Sequence, residues 1–392
     1  MCKGLGKKIL ILGGGSGGVA AAKKLGDILR KHKDLGLEVT LITDQPWHDF
    51  LPLYADVAFG TAVPDEVRAP IQGLERFGVK VVVDPVKKID AAKRTVITEK
   101  GKYNYDYLIV SLGVKYAWDA YPGLAEAGVH NYTLEGALEM AKALAAFKGE
   151  KIVILVPEKP HRCGMYPYEA ATQLAETFKK IGRKVNITLV GVESKPLGGL
   201  GPDIARVWKE KFDELGIELI QHNGLQEVDP SRNLIRAGNI EERYDLLIKV
   251  PPSRLPDPLA ESDGFQWKQD PRWAPVRPRT FRHPDYDDVF LVGEHSMPPA
   301  GLPTAGVPIH YAAEYVVDII MNELDIGYPV MGYYTMMDCV GYFGTSGFAA
   351  GCETYFDEST DRWKFVCYTL MRSPIIRLMK EAFYKSWIAS LK

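Results

Sequence analysis

A chain of 392 residues, 46% hydrophobic and 25% charged, has the balance of a soluble globular protein of two or three domains, which excludes a disordered, collagenous or coiled-coil chain. The 48 Lys and Arg against 50 Asp and Glu leave a net charge of −2, with no global attraction to nucleic acid. Five Cys are too few, and odd in number, for a disulfide scaffold, and no apolar run is long enough to span a membrane.

The first residues imitate an export signal, with Lys7 and Lys8 ahead of Ile9 to Leu12. The apolar stretch stops after four residues at Gly13, and Lys23-Lys24 follow, so it reads as structure rather than targeting. Lys8 to Leu12 is a short buried strand, and Gly13-Gly14-Gly15-Ser16-Gly17-Gly18 fits G-x-G-x-x-G. Gly13 allows the tight turn, Gly15 lets a pyrophosphate reach backbone amides, and Gly18 lets helix pack on strand, with Ser16 and Gly17 opening the helix. A helix over 17–32 and a strand from Glu38 to Thr43 complete the unit. Asp44 ends it, 26 residues after Gly18, where a carboxylate accepts bonds from a ribose. The plainer reading is a Gly-rich turn and a solvated acid.

Two later pieces decide which nucleotide. Tyr105 to Val110 is an apolar strand ending in Ser111-Leu112-Gly113. Asp288 to Val292 is another, ending in Gly293-Glu294, and Thr304-Ala305-Gly306-Val307 leads into a helix over 306–322. These pieces resemble the FAD domain of the two-dinucleotide-binding-domain flavoproteins, with Ser-Leu-Gly for Ala-Thr-Gly and Gly-Glu for Gly-Asp. The resemblance implies an α/β fold of two Rossmann-like domains plus a C-terminal membrane-associating region. The FAD domain is discontinuous, over 1–115 and 285–330. The second domain spans 116–284 and the C-terminal region 331–392. It also implies that Glu294 reaches the ribityl chain, and that the helix starting at Gly306 and Val307 aims its positive end at the flavin pyrimidine.

A second βαβ unit opens with Lys151 to Val156. The loop after it, from Pro157 to Met165, holds one Gly, and Pro157 and Pro160 remove amide donors, so a pyrophosphate has no cradle there. This argues against a nicotinamide substrate. Cys163 stands in that loop, just before a helix that Pro167 opens, where a thiol is biased towards thiolate. Glu169, in the helix's first turn, is a candidate base. The competing readings are an inert buried Cys and a Glu stabilised by the helix dipole. Eight Pro between 251 and 284 mark an ordered, irregular crossover back to the first domain.

Cys339 lies in Met337-Asp338-Cys339-Val340-Gly341-Tyr342, and Cys367 lies in the strand Lys364 to Tyr368. Cys352 and Cys367 read as core residues, with Cys352 a lesser candidate for a third functional thiol, and Cys2 lies in the N-terminal segment. From Pro374 to Leu391, Ile375, Met379, Phe383, Trp387 and Leu391 recur every four residues, beside Arg372, Arg377, Lys380, Lys385 and Lys392. A basic amphipathic helix suits a membrane interface, or else covers the protein's own core or a subunit contact. Tyr333, Tyr334, Phe343, Phe348, Tyr355 and Phe356 are candidates to line an entry.

Cys163 with Glu169 six residues on, Pro251-Pro252 after a strand, His283-Pro284, the Gly306 helix and Cys339 before an aromatic residue resemble the sulfide:quinone oxidoreductase and flavocytochrome c sulfide dehydrogenase flavoprotein family over almost the whole chain. The resemblance implies that Cys163 and Cys339 are a redox pair bridged by a disulfide or polysulfide, with Glu169 as base. Sulfide or a related small sulfur species attacks the bridge, and two electrons pass through FAD to a membrane quinone. A peripheral enzyme on the cytoplasmic face follows, with a homo-oligomer as one assembly open to it, and with no nucleic-acid partner and no metal. Three positions depart from the family. Tyr132 replaces a third Cys, Gly136 replaces a His, and Thr304 replaces a Lys. No Cys lies between Trp47 and Gly60, so FAD is expected to be noncovalent. The alternatives are a flavocytochrome-type dehydrogenase, an NADH:quinone reductase and a flavin-binding thiol sensor.

Overall fold

The computed structural model describes residues 6–32, 35–327, 330, 333 and 336–392. Cys2 and Tyr334 lie outside these residues. The chain begins with strand β1 (Lys8–Leu12), helix α1 (Ser16–Lys31) and strands β2 (Glu38–Thr43), β3 (Lys80–Val83) and β4 (Tyr107–Val110). Helix α2 (Leu134–Ala146), strand β5 (Lys151–Leu155), helix α3 (Tyr166–Lys180), strand β6 (Asn186–Gly191), helix α4 (Pro202–Leu215) and strands β7 (Glu218–Gln221) and β8 (Leu246–Lys249) form the middle. Strand β9 (Val289–Leu291) and helix α5 (Gly306–Glu323) follow. Strands β10 (Met336–Phe343), β11 (Ser346–Asp357) and β12 (Arg362–Ser373) and helix α6 (Pro374–Ala389) close the chain.

Two parallel sheets carry the fold. The first has the order β9-β4-β1-β2-β3, so a late strand completes a sheet begun at the N-terminus. The second has the order β7-β6-β5-β8. Ile9 to Leu12, Leu108 to Val110 and Ile152 to Leu155 are all buried, the continuous apolar runs that strands covered on both faces require. The two passes of chain between the sheets pair with each other, Lys115–Tyr116 antiparallel to Ser253–Arg254. Gly18 is fixed by contact: a Cβ there would sit 1.9 Å from the Gly13 carbonyl oxygen, so only glycine lets α1 pack this closely on the turn.

The C-terminal sheet β10-β11-β12 is antiparallel, and its last strand is longer than the predicted Lys364–Tyr368. Cys352 and Cys367 are not unpaired core thiols. They face each other across β11 and β12 and are joined by a disulfide, which removes Cys352 as a substitute functional thiol. Phe343 and Phe348 line no entry: both are buried against Trp208, with ring centroids 4.9 and 5.4 Å away. Tyr333 is buried against Phe281 at 5.0 Å.

Helix α6 corrects the single apolar face read from sequence. Ile376, Lys380, Ile388 and, just beyond the helix, Leu391 turn inward, while Ile375, Leu378, Met379 and Phe383 face out. Trp387 is half-buried and donates to His48 Nε2 at 2.9 Å, and His48 Nδ1 bonds the Gly14 carbonyl at 2.8 Å. The far end of α6 is thus tied to the Gly-rich turn. Burial holds the His48 pKa below its ordinary value, in keeping with a neutral ring bridging the two.

Candidate active site

The Gly-rich turn, the end of β4 and the end of β9 meet at one crest. A Cβ on Gly17 would lie 2.6 Å from Ser111 Oγ and 3.2 Å from the Val292 carbonyl, and one on Gly293 would lie 3.6 Å from the Gly113 amide. At Gly15 and Gly306 a Cβ would meet nothing within 4 Å, so the N-termini of α1 and α5 both open onto free space. Neither start carries a side-chain cap, which suits a bound dinucleotide. Asp44 is exposed just past β2. Glu294 is buried, and its Oε2 accepts from Arg162 Nε at 2.5 Å. That arginine, which sequence reading passed over, also donates to the Tyr116 hydroxyl.

Arg162 immediately precedes Cys163, and the loop between β5 and α3 is pinned to the loop before α5. The Cys163 amide donates to the Thr304 carbonyl at 2.8 Å, and Thr304 Oγ1 donates to the His161 carbonyl at 2.5 Å. Thr304 therefore seats the thiol loop beside the α5 N-terminus. Cys163 has φ 52°, a left-handed conformation unfavourable for a residue with a Cβ.

Cys339 enters from β10, which crosses the first turn of α3. Its neighbour Gly341 makes the crossing possible, since a Cβ there would fall 2.2 Å from Glu169 Oε1. The Tyr342 amide donates to the same oxygen at 2.9 Å. Cys163 and Cys339 are both half-buried free thiols; the charge of Cys163 acts on Cys339, and that of Glu169 acts on both. Burial, and next the Glu169 carboxylate, push the Cys163 thiol up to about 11. Burial, then Cys163 and Glu169, push Cys339 up to about 12. This corrects the thiolate bias expected from the helix start. The Tyr166 amide favours the thiolate of Cys163 but is outweighed. Iodoacetamide labelling of the reduced protein at pH 8 should therefore be about a hundredfold slower at Cys163 than at a free cysteine, two pKa units being two decades of thiolate. Mass-mapped labelling at the free-thiol rate would contradict this environment.

Sequence reading missed the partner of Glu169. Lys380 reaches inward from α6, buried, with Nζ 3.4 Å from Glu169 Oε1 and 3.6 Å from the centre of the Tyr342 ring. The Tyr342 hydroxyl donates to Asp56 Oδ1 at 2.5 Å. Burial raises the Glu169 pKa, and Lys380 and the Tyr342 amide pull it back without cancelling the rise. The result is a buried carboxyl of high proton affinity beside two thiols. The signal was present in the spacing: Ile376, Lys380, Tyr384 and Ile388 are four apart, so the lysine shares a stripe with buried residues.

The family model for pyridine nucleotide-disulphide oxidoreductases matches residues 7–294. The chain belongs to that family. Among curated family members, the sulfide-quinone reductase of Aquifex aeolicus (strain VF5) is 26% identical over 339 residues, 82% of this chain and 77% of the relative. The mitochondrial sulfide:quinone oxidoreductase of Mus musculus is 25% identical over 329 residues, 76% of this chain and 68% of the relative. The X-ray structure of the sulfide:quinone oxidoreductase from Aquifex aeolicus matches with a TM-score of 0.81 at 25% identity, covering 98% of this chain and 91% of that one.

Proposed function

We propose that this chain is an FAD-dependent sulfide:quinone oxidoreductase. The observation that carries the reading is that the Cys163 loop is pinned to Thr304 just before α5, beside the open crest, while Glu169, paired with Lys380, acts on both Cys163 and Cys339. The relatives named for sulfide and quinone support it. The residues at the crest fit a dinucleotide: Gly13, Gly15, Ser16, Gly17 and Gly18 would hold the pyrophosphate, Asp44 the adenosine ribose, and Gly113, Gly293, Gly306 and Val307 the flavin end. Bound there without a covalent link, FAD supplies a two-electron acceptor for thiol chemistry and a donor for a quinone.

The chain's own residues do the rest. Sulfide attacks one sulfur of a Cys163–Cys339 disulfide, forming one S–S bond as the other breaks. The freed electron pair stays on the second cysteine as a thiolate. Glu169 takes the proton given up by the attacking sulfur, and Lys380 offsets the charge that Glu169 carries until then. Arg162 fixes Glu294 where the second sheet meets the first.

The test is an anaerobic flavin spectrum during titration with sulfide, then with a short-chain quinone. Bleaching by the first and recovery with the second is the expected pair of results. A yellow protein that sulfide leaves unchanged would overturn the reading.

Quinone is a membrane solute, and the exposed side of α6 suits a membrane surface. Leu378 and Phe383 are 64% and 58% exposed, and Leu370 and Met371 at the end of β12 extend the patch. Among the described residues no helix is long and apolar enough to cross a membrane. Leu378→Glu with Phe383→Glu should weaken co-sedimentation with lipid vesicles about tenfold or more. Unchanged sedimentation would move the docking face elsewhere.

A further inference from the structure

The hydroxyls of Tyr132 and Tyr166 are buried, and neither has a hydrogen-bond partner among the described residues. Unsatisfied buried phenols are costly, and a pair of them side by side calls for a ligand. Their rings meet edge to face, with centroids 5.7 Å apart. Tyr166 is held by its own amide, which donates to the Cys163 carbonyl at 3.0 Å. Tyr132 is held by Tyr116, edge-on at 5.8 Å, and by the start of α2, where Thr133 Oγ1 accepts from the Gly136 amide at 3.0 Å. Tyr116 in turn lies under the Arg162 guanidinium, 5.1 Å from its ring centre.

Tyr166 is thus fastened to the Cys163 backbone, and Tyr132 packs on Tyr166. The charge of Cys163 acts on each of them, yet neither hydroxyl hydrogen-bonds its sulfur. The thiol as it stands therefore leaves both O–H donors unused. A sulfur added to Cys163 extends the side chain by roughly 2 Å. The added atom is anionic or strongly polarisable, and two O–H donors suit it.

We propose that Tyr132 and Tyr166 form a sulfane-sulfur site, their hydroxyls donating hydrogen bonds to the terminal sulfur of a persulfide or short polysulfide carried by Cys163. This rests on the sulfide chemistry proposed above and names the residues that hold its sulfur intermediate. The tyrosines are positioning residues. They form and break no covalent bond, and they keep the sulfur on Cys163 until it is released.

The test uses the FAD-loaded full chain and its Tyr132→Phe, Tyr166→Phe and double variants, which keep both rings in place. Each is treated anaerobically with a stoichiometric amount of sulfide and passed rapidly through a desalting column. Sulfane sulfur is then counted by cyanolysis and located by alkylation and mass spectrometry. The parent protein should retain sulfur on the Cys163 peptide. The double variant should lose it about tenfold faster or more, the scale of a hydrogen bond donated to an anion, with each single variant between. Retention equal to the parent's in the double variant, at full FAD content, overturns the site alone. A shift of the resting flavin spectrum without sulfide, with retention unchanged, also overturns it and gives the phenols to the flavin. No sulfane sulfur on Cys163 of the parent overturns both the site and the sulfide chemistry beneath it.

Discussion

Cys163→Ser is expected to cut sulfide-driven bleaching of the flavin by at least about a thousandfold, and Cys339→Ser by as much, the scale seen when a catalytic nucleophile is removed. A hydroxyl forms no bridge to the opposite sulfur, so sulfide has no bond to attack. No other described cysteine replaces them, because Cys352 and Cys367 are bonded to each other on the neighbouring strands. Flavin content in both variants should stay that of the parent, since the crest is built from glycines and backbone that neither serine alters. NADH should leave the parent's flavin oxidised, because the loop after β5 carries the thiol where a pyrophosphate cradle would be. Sulfide bleaching that survives either serine substitution would remove the thiol pair from the reaction and favour a flavin-binding protein of another kind.

What sequence made legible follows from how local each signal is. The Gly13–Gly18 turn is a contiguous motif set by steric contact, so its strand, turn and helix appear as read. Pro167 and Gly306 are equally local, and α3 and α5 start where they indicate. Cys339 and Cys163 are 176 residues apart, and only the resemblance, not spacing, paired them. The Cys352–Cys367 bond stayed hidden because it depends on the register of β11 against β12, which no local pattern fixes. Lys380 was misplaced for a different reason. Periodicity finds a helix face by hydropathy, and a lysine is assigned to water unless a buried acid awaits it. That acid, Glu169, lies 211 residues earlier. Tyr132 stood out only as the residue in place of a family Cys, and Tyr166 not at all, because their hydroxyls matter only beside Cys163.

Lys380→Met tests the buried pair directly. Methionine matches the stem of lysine and removes its charge, leaving Glu169 with the Tyr342 amide as its remaining partner. Breaking a buried ion pair from one side costs about 3–5 kcal/mol where the other group must stay charged. Glu169 can avoid part of that by taking a proton, so the loss should depend on pH. Its folded pKa already lies above the ordinary 4.5 through burial, so the stability it contributes is full below 4.5 and is lost as pH rises through the folded pKa. Without Lys380 that folded pKa rises further and the loss extends to higher pH. The difference in unfolding free energy between variant and parent should accordingly be small near pH 4.5 and widen towards pH 8, as read by denaturant titration at each pH. Adding Glu169→Gln to Lys380→Met should recover most of the difference, because neither buried group is then charged. Glu169→Gln alone should speed alkylation of Cys163 at pH 8, since the carboxylate is the strongest charge opposing its thiolate. A pH-independent difference with no recovery in the double variant would mean that Lys380 supports the fold by packing alone, and that the proton held at Glu169 is set without it.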